Sequence, residues 1–127
     1  MAINKIKPHA PESEEQIYLF QWAQYQSGRY PELELMYHIP NGGSRNKYEA
    51  ANLKLQGVKA GVPDICLPVA RGKFHGLYIE LKVGRNKTSE KQNNWIDALN
   101  TQGYCAAVCY GWESAADMIS KYLRGGL

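Results

Sequence analysis

The chain has 127 residues, 44% of them hydrophobic and 21% charged, enough for one domain whose core needs no staples. No apolar run approaches the roughly 20 residues needed to span a bilayer, and the polar start MAINKIKPHAPES lacks the apolar stretch of a secretion signal. A cytoplasmic protein with reduced thiols, a short leader over 1–12 and one domain over 13–127, is therefore expected.

Helix signals open at Ser13-Glu14-Glu15-Gln16, which has the form of a capping box. Ile17, Leu19, Phe20, Trp22 and Ala23 supply an apolar face, and Gly28 and Pro31 close the helix. LELMYHI (33–39) alternates Leu33, Leu35, Tyr37 and Ile39 against Glu34, Met36 and His38, the pattern of a strand. PNGGSRNK (40–47) reads as a loop and YEAANLKLQG as a short helix stopped by Gly57. DICLPV (64–69) and LYIELKV (77–83) are two strands joined by ARGKFHG. A helix follows over 88–103, with Ser89 and Gln92 in capping-box spacing and Gly103 as its stop. YCAAVCY (104–110) reads as a central strand and ESAADMISKYL (113–123) as an amphipathic helix. The order α-β-(α)-β-β-α-β-α predicts an α/β fold, a mixed sheet flanked by helices.

Charge is unevenly spread along these elements. Residues 45–87 hold nine of the fifteen Lys and Arg but only three of the twelve acids, Glu49, Asp64 and Glu80. A basic middle around isolated carboxylates suits a phosphate-rich substrate held over an anionic metal site; a solvated basic surface would look the same by charge alone. Cys66, Cys105 and Cys109 lack ligand spacing and read as buried thiols. His9, His38 and His75 have no partner at ligand spacing, so hydrolysis centred on histidine fails on placement.

Strand alternation makes the sharpest statement. Leu77, Ile79, Leu81 and Val83 define a buried face, so Tyr78, Glu80 and Lys82 share the other. In the partner strand, Ile65, Leu67 and Val69 match the buried set and leave Asp64 with Cys66. Pairing Val69 with Leu77 across the loop puts Asp64 opposite Lys82 and makes Glu80 its diagonal neighbour. Two carboxylates so placed can share one hard cation, Mg²⁺ or Mn²⁺, completed by waters and substrate phosphate. Lys82 then stands where it can orient or deprotonate the attacking water, or stabilise charge on the phosphate. The alternative is a surface salt bridge between Asp64 and Lys82 with Glu80 a bystander.

Gly61 and Pro63 set the entry to Asp64, or form an ordinary strand-start turn. Gln92 shares a helical face with Trp95, Ile96 and Leu99 and so points toward the sheet near the helix N-terminus, a place suited to a phosphate or to the lysine. It can equally be a cap with no other duty. Glu14 and Glu15 both complement the first helix's dipole; Glu15, on a face with Leu19 and Trp22, is the one expected to turn inward.

GVPD at 61–64 followed by IELK at 79–82 resembles the PD-(D/E)XK nuclease pattern. IPNGGSRN, LKLQGVKAGVPD, HGLYIELK, the Gln92 helix, QGYCAAV and the final KYL extend the likeness, from about Glu14 to Leu123, to the VRR-NUC family. That resemblance implies a restriction-endonuclease-like core and a Mg²⁺- or Mn²⁺-dependent deoxyribonuclease. Asp64, Glu80 and the main-chain carbonyl of Leu81 would hold metal, Lys82 would be the catalytic lysine and Gln92 its support. A helix-one acid, Glu15 rather than Glu14, would be a further ligand. Asn41, Gly42, Gly43 and Arg45 form the family-like loop that could contact the DNA backbone, and Arg71, Lys73, Arg85 and Lys87 are further candidates for DNA contact. Small members are similar to phage-encoded structure-specific nucleases, which implies action on four-way (Holliday) junctions or flaps inside a bacterial or phage-infected cell. Two symmetric cuts need two sites, so a two-fold homodimer is expected. The competing class is a DNA-binding module that keeps the fold without catalysis. Retention of Asp64, Glu80 and Lys82 together argues against it.

Overall fold

The computed structural model describes residues 11–40 and 46–127. Its elements run α1 (Glu12–Gln26), a 3-10 turn (Pro31–Leu35), β1 (Tyr37–His38), α2 (Lys47–Leu55), β2 (Ile65–Leu67), β3 (Leu77–Lys82), α3 (Glu90–Thr101), β4 (Cys105–Tyr110) and α4 (Trp112–Leu123). Apart from the 3-10 turn, this is the order the sequence predicts. Among these helices none is long and apolar enough to cross a membrane. Most of the expected leader, residues 1–10, lies outside the described residues.

α1 starts without the expected capping box. Its N-cap is Pro11, whose carbonyl accepts the Glu15 N–H at 3.0 Å, and no side chain caps the end. Proline's fixed φ and its exclusion of helix from the residue before it start the helix here, so Ser13 lies inside the first turn. Glu12, Glu14 and Glu15 then sit at the positive end of the helix dipole. Leu19 and Ala23 are buried, Phe20 and Trp22 pack beside them, and Ile17 faces outward at 55% exposure.

Most of 33–39 is not a strand. Pro31 opens a 3-10 turn in which Leu33 and Met36, three apart, are the residues that enter the core. Leu35 and Tyr37, inward in the alternating pattern, are half exposed. Only Tyr37 and His38 join the sheet. α2 is capped by Asn46, whose side chain accepts the Glu49 N–H at 2.8 Å. It ends in a Schellman motif with Gly57 at φ +102 and bonds Val58 N–H to Leu53 and Gly57 N–H to Lys54. None of its residues is buried.

The sheet runs β1-β2-β3-β4, antiparallel for the first two pairings and parallel between β3 and β4. β4 is therefore an edge strand, not the central one its composition predicts. Its outer edge is covered. The Asn100 side chain donates to the Ala106 carbonyl at 3.0 Å and accepts the Ala106 N–H at 2.9 Å, taking the place of a further strand.

The β2–β3 register also differs from expectation. Leu67 pairs with Leu77, Cys66 with Tyr78 and Ile65 with Ile79, a two-residue shift. β2 breaks at Leu67, where the Val69 N–H turns back onto the Leu67 carbonyl at 2.8 Å. The hairpin is closed further out by reciprocal Arg71–Phe74 bonds around Gly72 at φ +55. Val69 is thus buried without being a ladder residue, and its carbonyl accepts the buried Tyr122 hydroxyl at 2.6 Å.

The main core fills the face lined by Ile65, Leu67, Leu77, Ile79 and Leu81, against Leu19 and Ala23 of α1 and Ala115, Ile119 and Tyr122 of α4. On the other side, Gly61 passes against α3 so closely that an added Cβ would lie 2.8 Å from the Lys91 main-chain carbon and oxygen, with φ at +95. We expect Gly61→Ala to lower unfolding free energy by about 2 kcal/mol or more, combining a positive-φ penalty with a backbone clash. Urea titration measures it; an unchanged midpoint would show that α3 does not need this approach.

Candidate active site

On the β3 face away from the core, Tyr78 and Lys82 are partly buried and the acid between them is enclosed. Glu80 is 2% exposed, and a charged carboxylate in that position is costly unless something compensates it. Burial is the largest influence on it and the Asp64 charge the next, against a smaller opposing pull from Lys82; together they push its pKa up to about 8. Oε2 accepts from Gln92 Nε2 at 3.1 Å and lies 3.8 Å from Lys82 Nζ. Oε1 is buried without any hydrogen-bond partner.

The observed register brings Asp64 closer than the sequence-based count does. One step beyond the Ile65–Ile79 pair, Asp64 comes level with Glu80 rather than Lys82. Its Oδ2 accepts the Leu81 N–H at 2.9 Å, so the side chain reaches across to β3. Its own carbonyl accepts the Ile39 N–H at 2.7 Å and lies 2.9 Å from His38 Nδ1, which ties the residue to β1. Leu81 has a buried side chain, leaving only its main chain to serve the site.

Gln92 has two jobs at once. Its Oε1 accepts the Ser89 N–H at 2.9 Å while its own N–H reaches Ser89 Oγ at 3.1 Å, completing the predicted capping box. Its Nε2 remains for Glu80. The glutamine supports the acid directly, where the resemblance pairs it with the lysine.

The structure does not bring Glu15 to this cluster. Glu15 Oε1 accepts the Trp112 N–H at 2.8 Å and caps α4. Glu12 is the helix-one acid whose charge is felt at Glu80. The signal was available: Glu12 lies seven residues before Leu19, on the same helical stripe. Among the described residues no three His, Cys, Asp or Glu side chains converge as a metal cluster.

The proposed DNA contacts divide. Arg85 and Lys87 are exposed just past Lys82, on a segment turned by Gly84 and held by the Tyr110 hydroxyl on the Asn86 carbonyl at 2.8 Å. Arg71 and Lys73 lie at the opposite end of the β2–β3 hairpin. Arg71 ties the turn to Glu32, to the Leu123 carbonyl at 3.1 Å and to its neighbour Ala70 at 2.8 Å. Lys73 lies 5.5 Å over the Phe74 ring. Asn41, Gly42, Gly43 and Arg45 fall outside the described residues. All three cysteines are free and buried, as expected; burial raises the Cys109 thiol to about 11. His38 and His75 are exposed and take no part in a ligand set.

The donor set suits one kind of cation. Two carboxylates, one with an orphaned buried oxygen, plus a main-chain carbonyl offer oxygen ligands only, as Mg²⁺ and Mn²⁺ prefer.

Known proteins resemble this chain in sequence and in fold. The VRR-NUC domain model matches residues 9–113. The chain belongs to the VRR-NUC family. A solved structure described as a VRR_NUC domain protein is 35% identical, covers 95% of this chain and 93% of its own, and superposes with a TM-score of 0.81. No curated protein sequence matches. Membership makes the chain a nuclease-type DNA-processing domain.

The Glu80 pKa gives a signed test in chelator. Below the ordinary carboxylate value of 4.5 the acid is protonated folded or unfolded. Between that value and about 8 the folded state keeps a proton the unfolded state has lost, so stability falls as pH rises. Glu80→Gln should remove this component, its stability advantage over wild type growing across the window and levelling off above it. A pH-independent difference in denaturation midpoints would contradict the burial argument.

Proposed function

We propose that the protein is a Mg²⁺- or Mn²⁺-dependent endonuclease that hydrolyses phosphodiester bonds in branched DNA such as four-way junctions or flaps. The observation that carries this reading is the buried, unpartnered Oε1 of Glu80 beside Asp64. A buried carboxyl oxygen without a partner is expensive in a fold that gains nothing from it. A cation shared by Asp64, Glu80 and the Leu81 carbonyl would remove that cost. When bound, the cation supplies positive charge that polarises the phosphodiester and makes water a competent nucleophile at neutral pH.

The chain's own residues do the remaining work. Gln92 holds Oε2 of Glu80 and so sets the carboxylate plane. The Leu81 N–H fixes Asp64 across the strand gap. Lys82, 3.8 Å from Oε2, presents its ammonium on the same face, placed to donate to a phosphate oxygen or to hold the attacking water. Arg85 and Lys87 offer exposed cations to the flanking backbone. A two-fold homodimer would set two such sites across a junction, as paired cuts need.

Lys82→Ala should lower cleavage by about 10²–10⁴-fold while keeping affinity for branched DNA; unchanged turnover with Mg²⁺ would remove Lys82 from the site. Calorimetric titration of Mg²⁺ or Mn²⁺ should show binding to wild type and none to Asp64→Ala. Cleavage of duplex, single-stranded, flap and four-way DNA compared side by side decides the substrate: equal rates on all four would end the structure-specific reading.

A further inference from the structure

The face that carries the acid pair also carries a row of aromatic side chains. Tyr37 on β1 stands opposite Cys66 on β2, and Cys66 opposite Tyr78 on β3; directly opposed residues share a face. Asp64 and Glu80 form the next row, two residues along each strand and thus roughly 6–7 Å away. Tyr37 and Tyr78 thus flank Cys66 from the two neighbouring strands. Tyr104 braces Tyr78 edge-on, with ring centroids 5.4 Å apart, and His75 backs Tyr104 at 5.7 Å.

Tyr37 is 50% exposed and stands one row from the acid pair. Its row, completed by Ala106 on β4, contains no ionised side chain. A phosphate gains little there. A nucleobase gains stacking area, and a nucleotide whose phosphate lies at the Asp64–Glu80 row carries its base about one row away.

We propose that Tyr37 is a stacking platform for an unpaired base next to the phosphate that is cut. This rests on the nuclease reading and deepens it. A base inside a duplex already has neighbours on both faces, whereas an unpaired base has a free face to offer. Substrates with a splayed nucleotide at that point are therefore favoured over continuous duplex. Base–aromatic stacking of the usual strength corresponds to roughly 5- to 150-fold in affinity.

The test first maps the cut phosphate on splayed-arm DNA from wild-type product ends. Affinities are then measured by fluorescence anisotropy in the Lys82→Ala background, for DNA intact or made abasic at the nucleotide on either side. Tyr37→Ala and the abasic change should each weaken binding by about 5- to 150-fold. The second should add little once the first is made, at one of the two positions, and Tyr37→Phe should bind as its parent does. Independent effects at both positions would overturn the platform, as would a Tyr37→Phe loss equal to that of Tyr37→Ala. Thermal melting confirms that the variants fold. Either failure in an enzyme that still cuts leaves the nuclease reading standing. A wild type that cuts no DNA with Mg²⁺ or Mn²⁺ removes that reading, and the platform with it.

Discussion

The structure is organised around one carboxylate taken out of water. Glu80 lies on one of the two inner strands of the sheet, where Leu77, Ile79 and Leu81 hold the other face in the core. Its strand cannot slide to expose it, because a one-residue slip would turn all of those apolar residues to the wrong face. The acid is thus pinned by burial that serves folding, and the polar groups around it must come to it. Gln92 comes from α3, Asp64 from the start of β2 and Lys82 from the next position on the same face.

That arrangement explains why the β3–α3–β4 unit is so constrained. Gln92 can reach Glu80 only if α3 begins at Ser89, and the same side chain defines that start through the capping box. Helix position and acid support are therefore one device. Gly61 lets the chain before Asp64 pass against the first turn of that helix, so α3 and the entry to β2 share a boundary. Asn100 closes the other end of α3 onto Ala106. α3 is held at both ends by side-chain bonds, which suits a helix with no fully buried residue.

Much of this was legible from the chain alone, for a physical reason. Alternation along 77–83 needs only the two-residue period of a strand, so the shared face of Tyr78, Glu80 and Lys82 could be read without a partner. Register could not. It depends on where β2 ends, and that is decided by the Val69 N–H folding back on the Leu67 carbonyl and by the tight turn at Gly72. The result, Asp64 level with Glu80, strengthens the acid pairing while removing the supposed Asp64–Lys82 opposition. Residues 33–39 misled because Leu33 and Leu35 satisfy an alternating pattern, whereas Leu33 and Met36 satisfy the three-residue period that Pro31 starts. The edge position of β4 was hidden as well, since a covered edge is as apolar as a centre.

The choice of helix-one acid follows from two competing demands. α4 begins at Trp112 after Gly111, which has no side chain to cap the helix, so an acceptor must come from elsewhere. Glu15 supplies it from a distant part of the sequence, and the oxygen it commits to the Trp112 N–H helps lock α1 onto α4. One turn earlier on the same stripe, Glu12 is left to face the Glu80 side of the molecule, and its negative charge adds to the burden that Asp64 already places there. An acid spent on capping stabilises the scaffold, and the other adds its negative charge to the surroundings of Glu80. The doublet Glu14-Glu15 drew attention because it is conspicuous in sequence. Helical geometry instead separates Glu15 from Glu12 by function, with Leu19 as the common reference that places both.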